Sequence, residues 1–90
     1  MTLTGRLICA SMADAEIVQR LLPEHIRLSR AEPGCLSFTV VQTDDPLIWQ
    51  LDETFRDRAA FKAHQTRTRA SEWFRATAHL TRDFHMSEAL

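Results

Sequence analysis

The stretch Glu32-Pro33-Gly34-Cys35-Leu36-Ser37-Phe38 joins an apolar-striped helix to an alternating strand, and the architecture follows from reading outward from it. Upstream, Ile17, Val18, Leu21, Leu22, Ile26 and Leu28 recur at the spacing of one helical face. Ser11-Met12-Ala13-Asp14 has the layout of a helix start, so a helix is expected over about 13–31. Pro23 removes one backbone hydrogen bond inside it, and a kink is expected there because the stripe continues beyond. Pro33-Gly34 ends the helix.

Downstream, residues 35–42 alternate, with Leu36, Phe38 and Val40 on one face and Ser37, Thr39 and Val41 on the other. Thr43-Asp44-Asp45-Pro46 is a turn. Residues 47–55 return antiparallel, with Trp49, Leu51, Glu53 and Phe55 on one face and Ile48, Gln50, Asp52 and Thr54 on the other. Ahead of the helix, residues 2–10 read as a strand in which Leu3, Leu7 and Cys9 share a parity. Gly5 between them marks a bulge or a close approach. Residues 56–80 are predicted helical, in two pieces meeting near 65–68. The first piece buries Ala60, Phe61 and His64; the second buries Ala70, Trp73, Phe74, Thr77 and Ala78. Residues 82–86 form a last strand, and the end beyond them is expected to fray. The order β-α-β-β-α-β is the ferredoxin-like arrangement, an α+β fold with an antiparallel four-stranded sheet.

The chain of 90 residues is read as one domain, 1–90, with a modest core that a partner subunit would help to bury. The second sheet face, with Ser37, Thr39 and Val41 beside Ile48, Gln50, Asp52 and Thr54, has no helix to cover it. Its mix of apolar and short polar groups suits a homodimer interface. No apolar run approaches the roughly 20 residues of a membrane helix. Residues 1–10 hold one basic side chain, Arg6, and lack the layout of a signal peptide. A cytoplasmic location is therefore expected, with Cys9 and Cys35 as reduced thiols. They lie on strands that are not neighbours in this fold, which puts them beyond disulfide reach.

The net charge of −1 hides an asymmetry. Residues 1–55 carry four basic and eight acidic side chains, whereas residues 56–82 carry seven basic and two acidic. That basic segment is either a solvated helical face or a rim attracting anionic substrates. Without an overall basic excess or an aromatic strand motif, nucleic-acid binding is not expected. No metal is expected either. Neither cysteine belongs to a C-x-x-C motif, and His25, His64, His79 and His85 lack metal-ligand spacing.

Two positions carry candidate chemistry. His64 shares a helical face with Ala60 and Phe61, and Glu53 shares a strand face with Trp49, Leu51 and Phe55. A carboxyl among apolar neighbours has a raised pKa unless it meets a donor. The expectation is that Glu53 accepts a hydrogen bond from His64, fixing its tautomer and leaving the other nitrogen as a base. The bland alternatives are a core histidine held for stability and a glutamate reaching solvent or an arginine at the sheet edge. Phe38, Trp49, Trp73 and Phe74 either fill the core or line a pocket for a flat ligand. Arg67 and Arg69 are either solvated or hold a phenolate or carboxylate at the pocket mouth.

The run Glu32 to Phe38, the hairpin Asp44-Asp45-Pro46, the stretch Leu51-Asp52-Glu53-Thr54-Phe55-Arg56-Asp57 and Ala59-Ala60-Phe61-Lys62-Ala63-His64 together resemble the antibiotic biosynthesis monooxygenase family. The resemblance covers nearly the whole chain. It implies a ferredoxin-like domain that pairs into a dimeric α+β barrel. It also implies cofactor-independent oxygenation of a small aromatic molecule, a quinol or a polycyclic hydroxyaromatic. It places the family's helix histidine at His64. Haem-binding or haem-degrading relatives and non-catalytic binding modules share the fold. Two positions depart from the family pattern: Phe55 stands where a tryptophan is common, and Asp52 where a tyrosine often precedes the glutamate. The chain has no tyrosine, so none can hold a substrate oxygen.

Overall fold

Each helix begins with the same device. Ser11, Asp57 and Ser71 sit in extended backbone, and each side chain accepts the backbone N–H three residues on, from Asp14, Ala60 and Phe74. Such a cap contributes about 1 kcal/mol. The computed structural model describes residues 1–88, with elements β1 (Thr2–Ile8), α1 (Met12–Arg30), β2 (Cys35–Gln42), β3 (Ile48–Phe55), α2 (Arg58–Arg69), α3 (Glu72–Thr77) and β4 (Thr81–Ser87). The expected frayed end falls partly on Ala89 and Leu90, which lie outside the described residues; Ser87 is in β4, and Glu88 pairs with Arg58. Among the described residues no helix is long and apolar enough to cross a membrane.

The sheet order is β2-β3-β1-β4, every pair antiparallel, which is the ferredoxin-like order. All three helices pack on one face. The core there has two clusters. Leu7, Val18, Leu22, Trp49, Trp73 and Leu80 anchor one; Leu3, Phe38, Leu51, Phe55 and Phe61 form the other. On the opposite face, among the described residues, no helix covers Thr4, Arg6, Thr39, Val41 and Asp52, which are exposed.

The structure differs from expectation at two places. The helical segment breaks at Ala70 and Ser71, not near 65–68, because Ser71 caps a new helix there. Ala70 and Ala78 are consequently exposed. In β2 the register shifts between Cys35 and Ser37. That irregularity turns Leu36 outward, 64% exposed, and lets Cys35 pack on the second cluster instead. As expected, α1 continues through Pro23, which lies on the exposed side while Ala15, Val18, Leu22, His25 and Ser29 form the buried stripe.

Two glycines mark close approaches. Gly5 has φ +143°, and a Cβ there would lie 2.1 Å from the Asp83 carbonyl oxygen of β4. Gly34 is buried against α2, where a Cβ would come within 2.3 Å of the Ala60 Cβ. The Arg56 N–H donates to the Gly34 carbonyl at 2.8 Å, tying this corner to the approach to α2. The corner after α1 therefore sits directly against the helix that carries His64.

Candidate active site

Between the sheet and the helices the packing leaves a cavity of about 210 Å³. Leu3, Phe38 and Leu51 of the sheet and Phe61, Trp73 and Phe74 of the helices supply most of its apolar wall. His25, Glu53 and His64 interrupt that wall, and Arg69 and Arg82 also border it.

His64 reaches the cavity from α2 because it lies three residues after buried Phe61 on the same helical face. Its Nδ1 is 2.8 Å from Glu32 Oε1. A carboxylate partner assigns the proton to Nδ1 and makes Nε2 the acceptor nitrogen, with the Thr68 hydroxyl 3.4 Å from it. The Gly34 corner, pressed against α2, is what brings Glu32 within reach. The other Glu32 oxygen accepts from Arg67 Nε at 2.6 Å, and Arg67 Nη2 donates to the buried Ser29 hydroxyl at 2.9 Å. The imidazole orientation is thus fixed by a chain of polar contacts running through both helices. Burial pushes the His64 pKa below its usual value, against the opposing pull of Glu32, which favours the neutral, basic form of the ring.

The expected hydrogen bond from His64 to Glu53 is not formed. Glu53 Oε1 lies 3.8 Å from His64 Nε2, and Glu32 holds the imidazole in its place. Glu53 is 6% exposed, and its Oε1 is buried without a hydrogen-bond partner. Burial, with the Glu32 charge adding to it, pushes its pKa up to about 8. Near pH 7 it is a neutral acid.

The remaining expected site residues divide. Phe38, Trp73 and Phe74 line the cavity. Trp49 does not; it is buried within the first core cluster. Arg67 does not border the cavity either, being turned to Glu32 and Ser29, and Arg69 and Arg82 occupy the rim in its place. Arg82 is anchored by two hydrogen bonds to Thr77 and lies 5.5 Å above the Phe74 ring.

Sequence reasoning missed Glu32 and His25 as site residues. His25 completes the buried series Val18, Leu22, His25, Ser29, a spacing visible in the chain. It stacks on Trp73, centroids 5.0 Å apart and planes at 12°, and its centroid is 5.8 Å from that of His64. Burial, then the charges of His64, Arg67 and Arg82, drive its pKa down to about 3. Glu32 had a weaker signal, an acid at the end of a helix just before a Pro-Gly corner.

A family model described as antibiotic biosynthesis monooxygenase matches residues 10–76, which include His25, Glu32, Glu53 and His64. The chain belongs to the antibiotic biosynthesis monooxygenase family. Solved structures resemble this family member along most of its length. A candidate antibiotic biosynthesis monooxygenase from Nitrosomonas europaea is 21% identical with a TM-score of 0.73, covering 94% of this chain and 92% of that one. A Pseudomonas aeruginosa protein is 29% identical with a TM-score of 0.68, covering 93% of this chain and 85% of that one. A Mycobacterium tuberculosis protein is 25% identical with a TM-score of 0.69, over 99% and 97% of the two chains. No curated protein matches this family member.

Proposed function

We propose that this family member is a cofactor-independent monooxygenase of small hydroxyaromatics of the quinol kind, with His64 as its base. The observation that carries this reading is the Glu32–His64 pair set into an apolar cavity. An imidazole held by a carboxylate through Nδ1 offers Nε2 to a phenolic proton. At about 210 Å³ the cavity exceeds the about 150 Å³ that accommodates benzene, and falls short of the about 300–1,000 Å³ usual for drug-sized ligands. One or two rings fit those limits; a larger polycycle or a porphyrin does not.

The chemistry needs no external reductant. His64 Nε2 takes the phenolic proton, and the electron-rich phenolate reduces O2. Oxygen adds at a ring carbon as a peroxide, and the O–O bond then breaks. Net, a quinol and O2 give a hydroxylated quinone and water, with every electron supplied by the substrate. In this reading Glu53, protonated near pH 7 and with Oε1 3.8 Å from His64 Nε2, protonates the departing oxygen. The apolar wall keeps water from the phenolate and the peroxide.

Oxygen uptake with benzo- and naphthoquinols tests the reading. His64→Ala is expected to lower the rate by about a hundredfold or more, the usual worth of a positioned base, and Glu32→Gln to lower it without abolishing quinol binding. Equal uptake by wild type and His64→Ala would remove His64 from the mechanism. Quinol binding without any oxygen uptake in the wild type would make this a binding module. Homodimerisation through the uncovered sheet face belongs to the same reading, as does a reducing cytoplasmic setting for the free thiols of Cys9 and Cys35.

A further inference from the structure

Two buried polar atoms at the cavity have no hydrogen-bond partner among the described residues: Nδ1 of His25 and Oε1 of Glu53. Both residues are 6% exposed. They come from different elements, α1 and β3, and neither belongs to the Glu32–His64 pair. Buried polar groups are almost always paired, and an unpaired one destabilises the fold that contains it. His25 is nevertheless held rigidly, flat against Trp73 and edge-on to Phe38 at 5.4 Å between centroids. Apolar side chains at both positions would serve packing better.

We propose that His25 and Glu53 form a second polar subsite that binds a neutral hydroxyl of the ligand, separate from the oxygen handled by His64. This rests on the cavity being the ligand site. Near pH 7 both groups are neutral, because burial pushes Glu53 up to about 8 and His25 down to about 3. A protonated carboxyl donates one hydrogen bond and accepts others, and a neutral imidazole has one nitrogen of each kind. A hydroxyl, itself donor and acceptor, satisfies either. A carboxylate does not fit, because the Glu32 charge that already disfavours ionised Glu53 would repel it too. An anionic substituent belongs instead beside Arg69 and Arg82.

The test is calorimetric titration under nitrogen, where no oxygenation occurs, with phenol and hydroquinone as paired ligands. Wild type should bind hydroquinone about tenfold more tightly than phenol, the worth of one well-made hydrogen bond. In His25→Phe and in Glu53→Leu that ratio should fall to about one. Glu53→Gln, which keeps a donor and an acceptor, should retain most of it. Glu53→Leu should also melt at a higher temperature than wild type, whereas an acid retained for the fold would give a lower one. Unchanged ratios in both apolar variants would overturn the subsite. Equal binding of the two compounds by wild type would overturn the subsite alone; no binding of either would overturn the quinol reading with it.

Discussion

A carboxyl without a hydrogen-bond partner inside an apolar cavity gives this fold a pH dependence of its own. Folded Glu53 keeps its proton up to about pH 8, whereas the unfolded chain loses it near 4.5. Unfolding therefore releases a proton between those values, and stability falls as pH rises through them. His25 acts oppositely: its folded pKa is about 3 against 6.5 unfolded, so stability is lost as pH falls below 6.5. His64 shifts in the same direction as His25. Between pH 6.5 and 8 the histidines return only the few tenths of a kcal/mol each that their half-protonated unfolded forms still contribute at the lower end, so Glu53 dominates. The Glu53 slope there approaches about 1.4 kcal/mol per pH unit and flattens near pH 8, giving a net loss of about 1 kcal/mol across the window. Urea denaturation at its two ends should show that loss in wild type and little of it in Glu53→Gln. The inward placement of Glu53 and His64 was legible, because strand and helix periods alone assign faces. The partner of His64 was not, since Glu32 reaches it through a corner packed against another helix.

Among the elements, β1 and β4 depend on one residue without a side chain. Any Cβ at Gly5 would overlap the Asp83 carbonyl, and the φ of +143° is strained for an L residue. Gly5→Ala should cost about 3 kcal/mol or more, read from the midpoint of thermal or urea unfolding. Gly5 could be singled out from the chain as a glycine within a strand, but only the sheet identifies what approaches it. The β2 irregularity was not legible. Alternation put Leu36 inside, and a single shifted residue put it outside. The break between α2 and α3 shows a related limit. The apolar pattern runs on through the segment, and the Ser71 cap decides where the second helix begins.

At the scale of the molecule, one sheet face lacks a cover among the described residues. Val41 is 53% exposed there, beside threonines and other short polar groups, and the proposed pairing would cover it with a second copy of the chain. Light scattering at micromolar concentration should give about twice the chain mass of 10.4 kDa. The melting temperature should rise with concentration, and Val41→Lys should move the protein toward monomer by placing a charge in the interface. A stable monomer at that concentration would contradict the pairing. The charge asymmetry resolves only in part into the cavity: Arg69 and Arg82 border it, while Arg67 serves the fold between Glu32 and Ser29.

The chain by itself determined the order of elements, the inner and outer faces of the strands apart from the start of β2, and the inward positions of Glu53 and His64. Those follow from local rules, the periods of strand and helix and the chemistry of caps and turns. Tertiary structure alone decided that Glu32 holds His64, that His25 lies against Trp73 at the cavity, and that Trp49 and Arg67 stand away from it. Hydrogen bonds at 2.8 Å and ring stacking at 5.0 Å depend on how separate elements approach, and no local pattern encodes that approach.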